Sequence, residues 1–187
     1  MYKIYNKNLD DSNIVPNNVL EYLKKYHHQD RYNQSINSWC LLYEKLLSDF
    51  NIDLSIKEIK TTINGKPYID DIYFSISHSK NMVCIMISDY ECGIDIEKID
   101  SSVKHELLSK KVLSKEEYLE YLESSNKLEY FISMWTKKEA FLKCFNEGIL
   151  NFNSLRFKYK VDTFKINDEM KNEYYISFIL KEEECIK

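Results

Sequence analysis

Six consecutive apolar residues, Met82-Val83-Cys84-Ile85-Met86-Ile87, lie near the middle of the chain. The run is far short of the roughly 20 apolar residues that span a bilayer. Its unbroken character fits a strand buried on both faces, so the rest of the chain must supply cover on either side. Around it the pattern alternates between strand and helix periods. Val19, Leu20, Tyr22, Leu23 and Tyr26 recur at helical spacing after Pro16, and Ile36, Trp39, Cys40, Leu42, Tyr43, Leu46, Leu47 and Phe50 do so again. Ile59, Thr61 and Ile63 alternate up to Asn64-Gly65, a tight-turn pair. Tyr73 to Ser77 and Ile94 to Glu97 read as strands, followed by helices over roughly 104–112, 115–123 and 127–145. Leu155 to Val161 and Tyr174 to Leu180 are predicted as closing strands. Helix then strands, twice over, is an α+β pattern with a rough two-fold character.

Composition narrows the function classes. A chain of 187 residues makes one compact unit or two small lobes sharing a core. The first residues, Met1-Tyr2-Lys3-Ile4-Tyr5, lack the apolar stretch of a secretory signal, and a cytoplasmic protein with no membrane partner is expected. The five cysteines, Cys40, Cys84, Cys92, Cys144 and Cys185, form no C-x-x-C pair and read as reduced packing residues rather than a disulfide framework or zinc site. A net charge of -4 argues against a general nucleic-acid binder yet leaves room for a local basic site for a phosphorylated ligand. With only 3 glycines there is no Gly-rich phosphate loop, so any phosphate must be held by side chains and a metal.

Three segments carry chemistry. In Gly93-Ile94-Asp95-Ile96-Glu97, strand alternation puts Asp95 and Glu97 on one face and the isoleucines on the other. Adjacent carboxylates repel unless a cation joins them or one takes a proton, and hard oxygen ligands suit Mg²⁺ or Mn²⁺. The bland alternative is a solvent-facing strand edge. In Trp135-Thr136-Lys137-Lys138-Glu139-Ala140-Phe141-Leu142-Lys143, helical spacing stacks Trp135, Glu139 and Lys143 in a stripe. Glu139 is a candidate third ligand and Lys143 a candidate phosphate contact; the alternative is an ordinary Glu-to-Lys surface pair. In Phe74-Ser75-Ile76-Ser77-His78-Ser79, Phe74 and Ile76 face inward while Ser75 and Ser77 face the other way, and His78 closes the strand. Hydroxyls and an imidazole at a strand end can hold phosphate oxygens. No nucleophile elbow surrounds these serines, so no Ser-His-Asp triad is implied. His27, His28 and His105 read as surface residues.

In order and spacing, F-S-I-S-H-S, G-I-D-I-E and W-T-K-K-E-A-F-L-K resemble the 4′-phosphopantetheinyl transferase superfamily. Length, and one chain carrying all three, suggest its surfactin-synthetase-activating (Sfp-like) type, and Asn64-Gly65-Lys66-Pro67 is similar to that family's G-K-P element. The resemblance implies two similar, pseudo-two-fold-related α+β lobes, each a small antiparallel sheet with helices, with coenzyme A between them. Residues 1–93 would form the lobe of nucleotide contacts and 94–187 the lobe of metal and catalytic residues. It implies Mg²⁺ (or Mn²⁺) on Asp95, Glu97 and Glu139. Glu139 is either a metal ligand alone or also the candidate general base for a carrier-protein serine, directly or through a water on the ion; the two duties compete for one carboxylate. Lys143 would contact phosphates and stabilise the departing 3′,5′-ADP, with Lys138 a secondary phosphate contact. Lys66, Ser77 and His78 match nucleotide and phosphate contacts, and Arg31 is the candidate beside the adenosine 3′-phosphate. Glu117 matches an acidic position of some relatives and also completes a capping box with Ser114.

The chain departs from the family pattern at five positions. Asn146 stands where glycine is frequent, Ser75 where asparagine is usual and Lys80 where glycine is common. Gln34 and Tyr43 stand where basic residues follow Asp30-Arg31. An acidic carrier domain is the implied partner, with Lys104, Lys110, Lys111 and Lys115 around Leu113 a basic face for it, or simply a solvated helix face. A monomer is expected. The alternatives are a coenzyme A- or carrier-binding module without turnover, and a metal-dependent pyrophosphate hydrolase.

Overall fold

The computed structural model describes residues 1–11, 14–147 and 149–181. In chain order the elements are strand β1 (Tyr2–Asn8), helices α1 (Asn17–Leu23) and α2 (Gln29–Phe50), the short strands β2 (Lys60–Thr61) and β3 (Pro67–Tyr68), and strands β4 (Tyr73–Ser79), β5 (Met82–Ser88) and β6 (Cys92–Lys98). Helices α3 (His105–Val112), α4 (Lys115–Glu123) and α5 (Lys127–Phe145) follow, then strands β7 (Asp162–Asn167) and β8 (Glu173–Leu180). Two antiparallel three-stranded sheets result, in the orders β1-β5-β4 and β6-β8-β7, together with the β2–β3 hairpin.

The apolar run explains why the sheets lie together. On β5, Val83, Ile85 and Ile87 face α2 and pack with Trp39, Leu42 and Leu46. Met82, Cys84 and Met86 point the other way, onto Ile94 and Ile96 of β6 and Tyr174 and Ile176 of β8. Every residue of β5 is buried as a consequence. Helix α5 covers the second sheet with Ala140, Phe141 and Cys144, against Ile179. It comes so close to β6 that a Cβ on Gly93 would lie 1.9 Å from the Ala140 carbonyl oxygen. Glycine is thus required there by contact, and that contact fixes where Glu139 and Lys143 stand relative to Asp95.

Two predicted features change, and one strand is added that the sequence pattern did not predict. Leu155 to Val161 joins no sheet: Phe157 meets Phe141 edge-on and Tyr159 stacks on Phe145, both on α5, so the alternation reflects packing on a helix, and the strand begins at Asp162. Strand β1 has no clear period in the sequence and forms because β5 offers it a free edge, pairing Tyr2 with Ser88 through Asn8 with Met82. His105 is half-buried rather than on the surface, its Nδ1 2.9 Å from the Tyr121 hydroxyl; His27 and His28 are exposed. Cys40, Cys84, Cys92 and Cys144 are buried free thiols, and Cys185 lies outside the described residues. Among the described residues no helix is long and apolar enough to cross a membrane.

Candidate active site

The open edges of β4 and β6 face each other, and side chains join them in place of a backbone ladder. Ser75, Ser77 and Ser79 share one face of β4 by the period of two. Ser75 Oγ accepts the Ile94 N–H at 3.1 Å and Ser79 Oγ accepts the Lys98 N–H at 3.2 Å. Ser77 Oγ donates to Asp95 Oδ1 at 2.7 Å, and Ser79 Oγ to Glu97 Oε2 at 2.8 Å. All three serines are buried, because the second sheet closes over a face that the first alone would leave open.

Lys143 completes this seam from α5. Its Nζ donates to Asp95 Oδ1 at 2.7 Å and to Ser77 Oγ at 2.8 Å. Burial pulls the Lys143 ammonium toward neutrality, but Asp95, with Glu139 adding to it, raises its pKa and holds the lysine charged. Burial also raises Glu139, with Asp95 adding to the effect and Lys143 opposing it. Glu97 is pushed up to about 7, by burial first and then by Asp95, against the Ser79 hydrogen bond.

Above the seam opens a cleft of about 660 Å³ lined by Asp95, Glu97, Glu139, Lys143, Ser77, His78, Lys66 and Arg31. Eight of the nine residues singled out in the sequence therefore meet in one place. Burial, then the charges of Lys143 and Arg31, push His78 down to about 4, so at neutral pH it is an uncharged hydrogen-bonding group. Lys66 is largely buried on the hairpin, which lowers its pKa, and its Nζ donates to the Cys92 carbonyl at 3.1 Å. The exposed guanidinium of Arg31 lies 5.6 Å from the Tyr26 ring centroid.

Lys138 is the exception. It is 0% exposed and does not line the cleft; its Nζ donates to the Phe152 carbonyl at 2.8 Å and pairs with Glu117 at 2.7 Å. Its position on the helix turns it away from the face that carries Glu139 and Lys143. Glu117 forms the predicted capping box, accepting the Ser114 N–H at 2.7 Å. Sequence reading passed over Ser79 as a seam residue, although its spacing from Ser75 and Ser77 carried the signal. It also passed over the aromatic wall of Tyr22, Tyr26, Trp39 and Phe74, whose helical (Tyr22, Tyr26, Trp39) and strand (Phe74) spacing looks like any core face.

The carboxylates suit a hard divalent cation. Asp95 Oδ2 is buried without a hydrogen-bond partner, and Glu97 and Glu139 are both shifted toward protonation by burial and by Asp95. A cation relieves each of these costs. Among the described residues no three His, Cys, Asp or Glu side chains already converge at metal-binding distance; Lys143 and Ser77 occupy Asp95 Oδ1, and Ser79 occupies Glu97 Oε2.

Carboxylates set against an ammonium and a guanidinium across one cleft can accept a cation at the first and an anionic group at the second. The model of the 4′-phosphopantetheinyl transferase superfamily matches residues 91–186, and the chain belongs to that superfamily. It is 29% identical over 147 residues to the 4′-phosphopantetheinyl transferase gsp of Aneurinibacillus migulanus, covering 76% of this chain and 60% of that one. Against the 4′-phosphopantetheinyl transferase Sfp of Bacillus subtilis the identity is 28% over 134 residues, covering 69% and 59%. Against the holo-[acyl-carrier-protein] synthase of Mycoplasmopsis pulmonis it is 31% over 105 residues, covering 54% and 93%. The chain thus spans about 60% of the length of the first two of these relatives.

Proposed function

We propose that this protein transfers the 4′-phosphopantetheine arm of coenzyme A to a serine of an apo carrier protein and releases 3′,5′-ADP. The observation that carries the reading is the convergence of Ser77 and Lys143 on Oδ1 of the buried Asp95, beside Glu97 and Glu139, in a chain of this superfamily. Coenzyme A would lie in the cleft between the two sheets, with residues 1–93 supplying most nucleotide contacts and 94–187 the metal and catalytic residues. Arg31, Lys66 and His78 are on the first side, and Asp95, Glu97, Glu139 and Lys143 on the second.

Asp95, Glu97 and Glu139 would hold Mg²⁺ or Mn²⁺, which when bound supplies charge neutralisation at the pyrophosphate. Lys143 donates to phosphate oxygens and stabilises charge on the departing 3′,5′-ADP. The carrier serine hydroxyl attacks the β-phosphorus, a new P–O bond forms, and the bond to the bridging oxygen of the α-phosphate breaks. Glu139, which lines the cleft beside Asp95, accepts the serine proton. Ser77 and neutral His78 hydrogen-bond phosphate oxygens, while Lys66 and Arg31 balance the nucleotide charge.

The carrier's acidic surface would meet the α3–α4 face. Lys104, Lys110, Lys111 and Lys115 are exposed there beside exposed Leu107 and Leu119, whereas Leu113 is buried. The protein would act in the cytoplasm as a monomer.

Incubation with coenzyme A, Mg²⁺ and a panel of apo carriers, read by intact mass, tests the reading. The expected result is a gain of about 340 Da on a carrier, the mass of the transferred arm, abolished by Asp95→Ala. Release of 3′,5′-ADP with no mass gain on any carrier would make the protein a hydrolase instead.

A further inference from the structure

Lys66 sits on the smallest element of the fold. Strands β2 and β3 have two residues each, and a ribbon of that size does not hold itself in water. Ile63 near its tip is 97% exposed, so apolar burial does not anchor the tip either. The end of α5 does. Asn146 caps that helix in the left-handed region, at φ 51°, and both of its oxygens serve the hairpin. Its Oδ1 accepts from Thr62 Oγ1 at 2.7 Å, and its carbonyl accepts from Asn64 Nδ2 at 2.6 Å. The same Thr62 hydroxyl accepts the Lys66 backbone N–H at 3.1 Å. One hydroxyl thus links the helix end to the backbone of Lys66, whose ammonium reaches the Cys92 carbonyl.

A left-handed helix cap by itself favours glycine, which takes positive φ without a steric cost. Glycine would make this turn and keep the carbonyl acceptor, but it has no Oδ1. What asparagine adds at this position is the acceptor for Thr62.

We propose that Asn146 is a positioning residue for coenzyme A. It latches the 62–66 hairpin to α5 along one side of the cleft and so holds Lys66 in register with the ligand's phosphates. The inference rests on the functional reading above. Asn146 lines the cleft at its hairpin side, and as a positioning residue it acts on ligand binding and not on the chemical step.

Asn146→Gly is the direct test, because glycine preserves the cap and removes only the side-chain acceptor. The expected result is a rise of about three- to tenfold in KM for coenzyme A and in its calorimetric Kd, the loss of one hydrogen bond. The kcat at saturating coenzyme A and the thermal midpoint should hold. Thr62→Val should reproduce the effect and Thr62→Ser should restore most of the affinity. The double variant Asn146→Gly/Thr62→Val should be no worse than either single one. Unchanged KM and Kd in Asn146→Gly, or a fall in kcat alone, would overturn the latch while leaving the transferase reading intact. A wild-type protein that binds no coenzyme A and modifies no carrier would overturn both.

Discussion

Lys143 Nζ lies 2.7 Å from Asp95 Oδ1, so the last turn of α5 is tied to the middle of β6 by an ion pair whose carboxylate is 5% exposed and whose ammonium is 28% exposed. Ser77 shares that oxygen from the other sheet. Removing one partner leaves the other charge partly buried without compensation, whereas removing both leaves less to satisfy. Lys143→Met should therefore destabilise the protein by about 3 kcal/mol in urea unfolding. Asp95→Asn combined with Lys143→Met should recover most of that loss. Additive losses would show that the pair is not coupled.

Gly93→Ala should be among the most damaging single changes. Its methyl would meet the Ala140 carbonyl oxygen at 1.9 Å and the Cys144 nitrogen at 2.7 Å, both backbone atoms of α5. Relief requires the helix to move, at a cost of about 3 kcal/mol or more, and the move carries Glu139 and Lys143 away from Asp95. Thermal unfolding and transfer rate should fall together; a variant of normal stability and activity would refute the close-contact argument.

Lys138→Met separates a structural lysine from a phosphate-binding one. Lys138 is enclosed with Glu117 and the Phe152 carbonyl, so its loss should cost about 3 kcal/mol. KM for coenzyme A should stay at the wild-type value. A large rise in KM with unchanged stability would return Lys138 to the cleft.

His78 gives a pH signature. An unfolded histidine titrates near 6.5, and the folded one near 4. The unfolded chain thus takes up this proton first as pH falls. The associated stability is complete above about pH 6.5 and is lost progressively toward pH 4, by roughly 3 kcal/mol in total. His78→Asn should lose distinctly less stability than wild type between pH 7 and pH 4.5 in urea titrations. Equal losses would show that His78 contributes nothing to the pH dependence.

Much of the site was legible because it rests on short periods within single elements. Alternation alone placed Asp95 and Glu97 on one face of β6, with Ile94 and Ile96 buried opposite. Ser114 and Glu117 announced a capping box that formed, and Asn64-Gly65 marked a hairpin whose glycine takes φ 87°. The continuous run at 82–87 correctly required cover on both faces.

Periodicity tells which residues share a face of their own element; it does not tell what covers that face. The sequence by itself therefore determined the α+β element order, the paired carboxylates and the spacing of Glu139 and Lys143. Only the tertiary structure decided that three serines would replace a strand ladder between two sheets, that Leu155 to Val161 would pack on a helix instead of pairing, and that Lys138 would turn inward to Glu117. Each of those outcomes depends on contacts between residues far apart in the chain, such as Ser77 with Lys143 and Thr62 with Asn146. Their energies exist only once separate elements have been brought against one another.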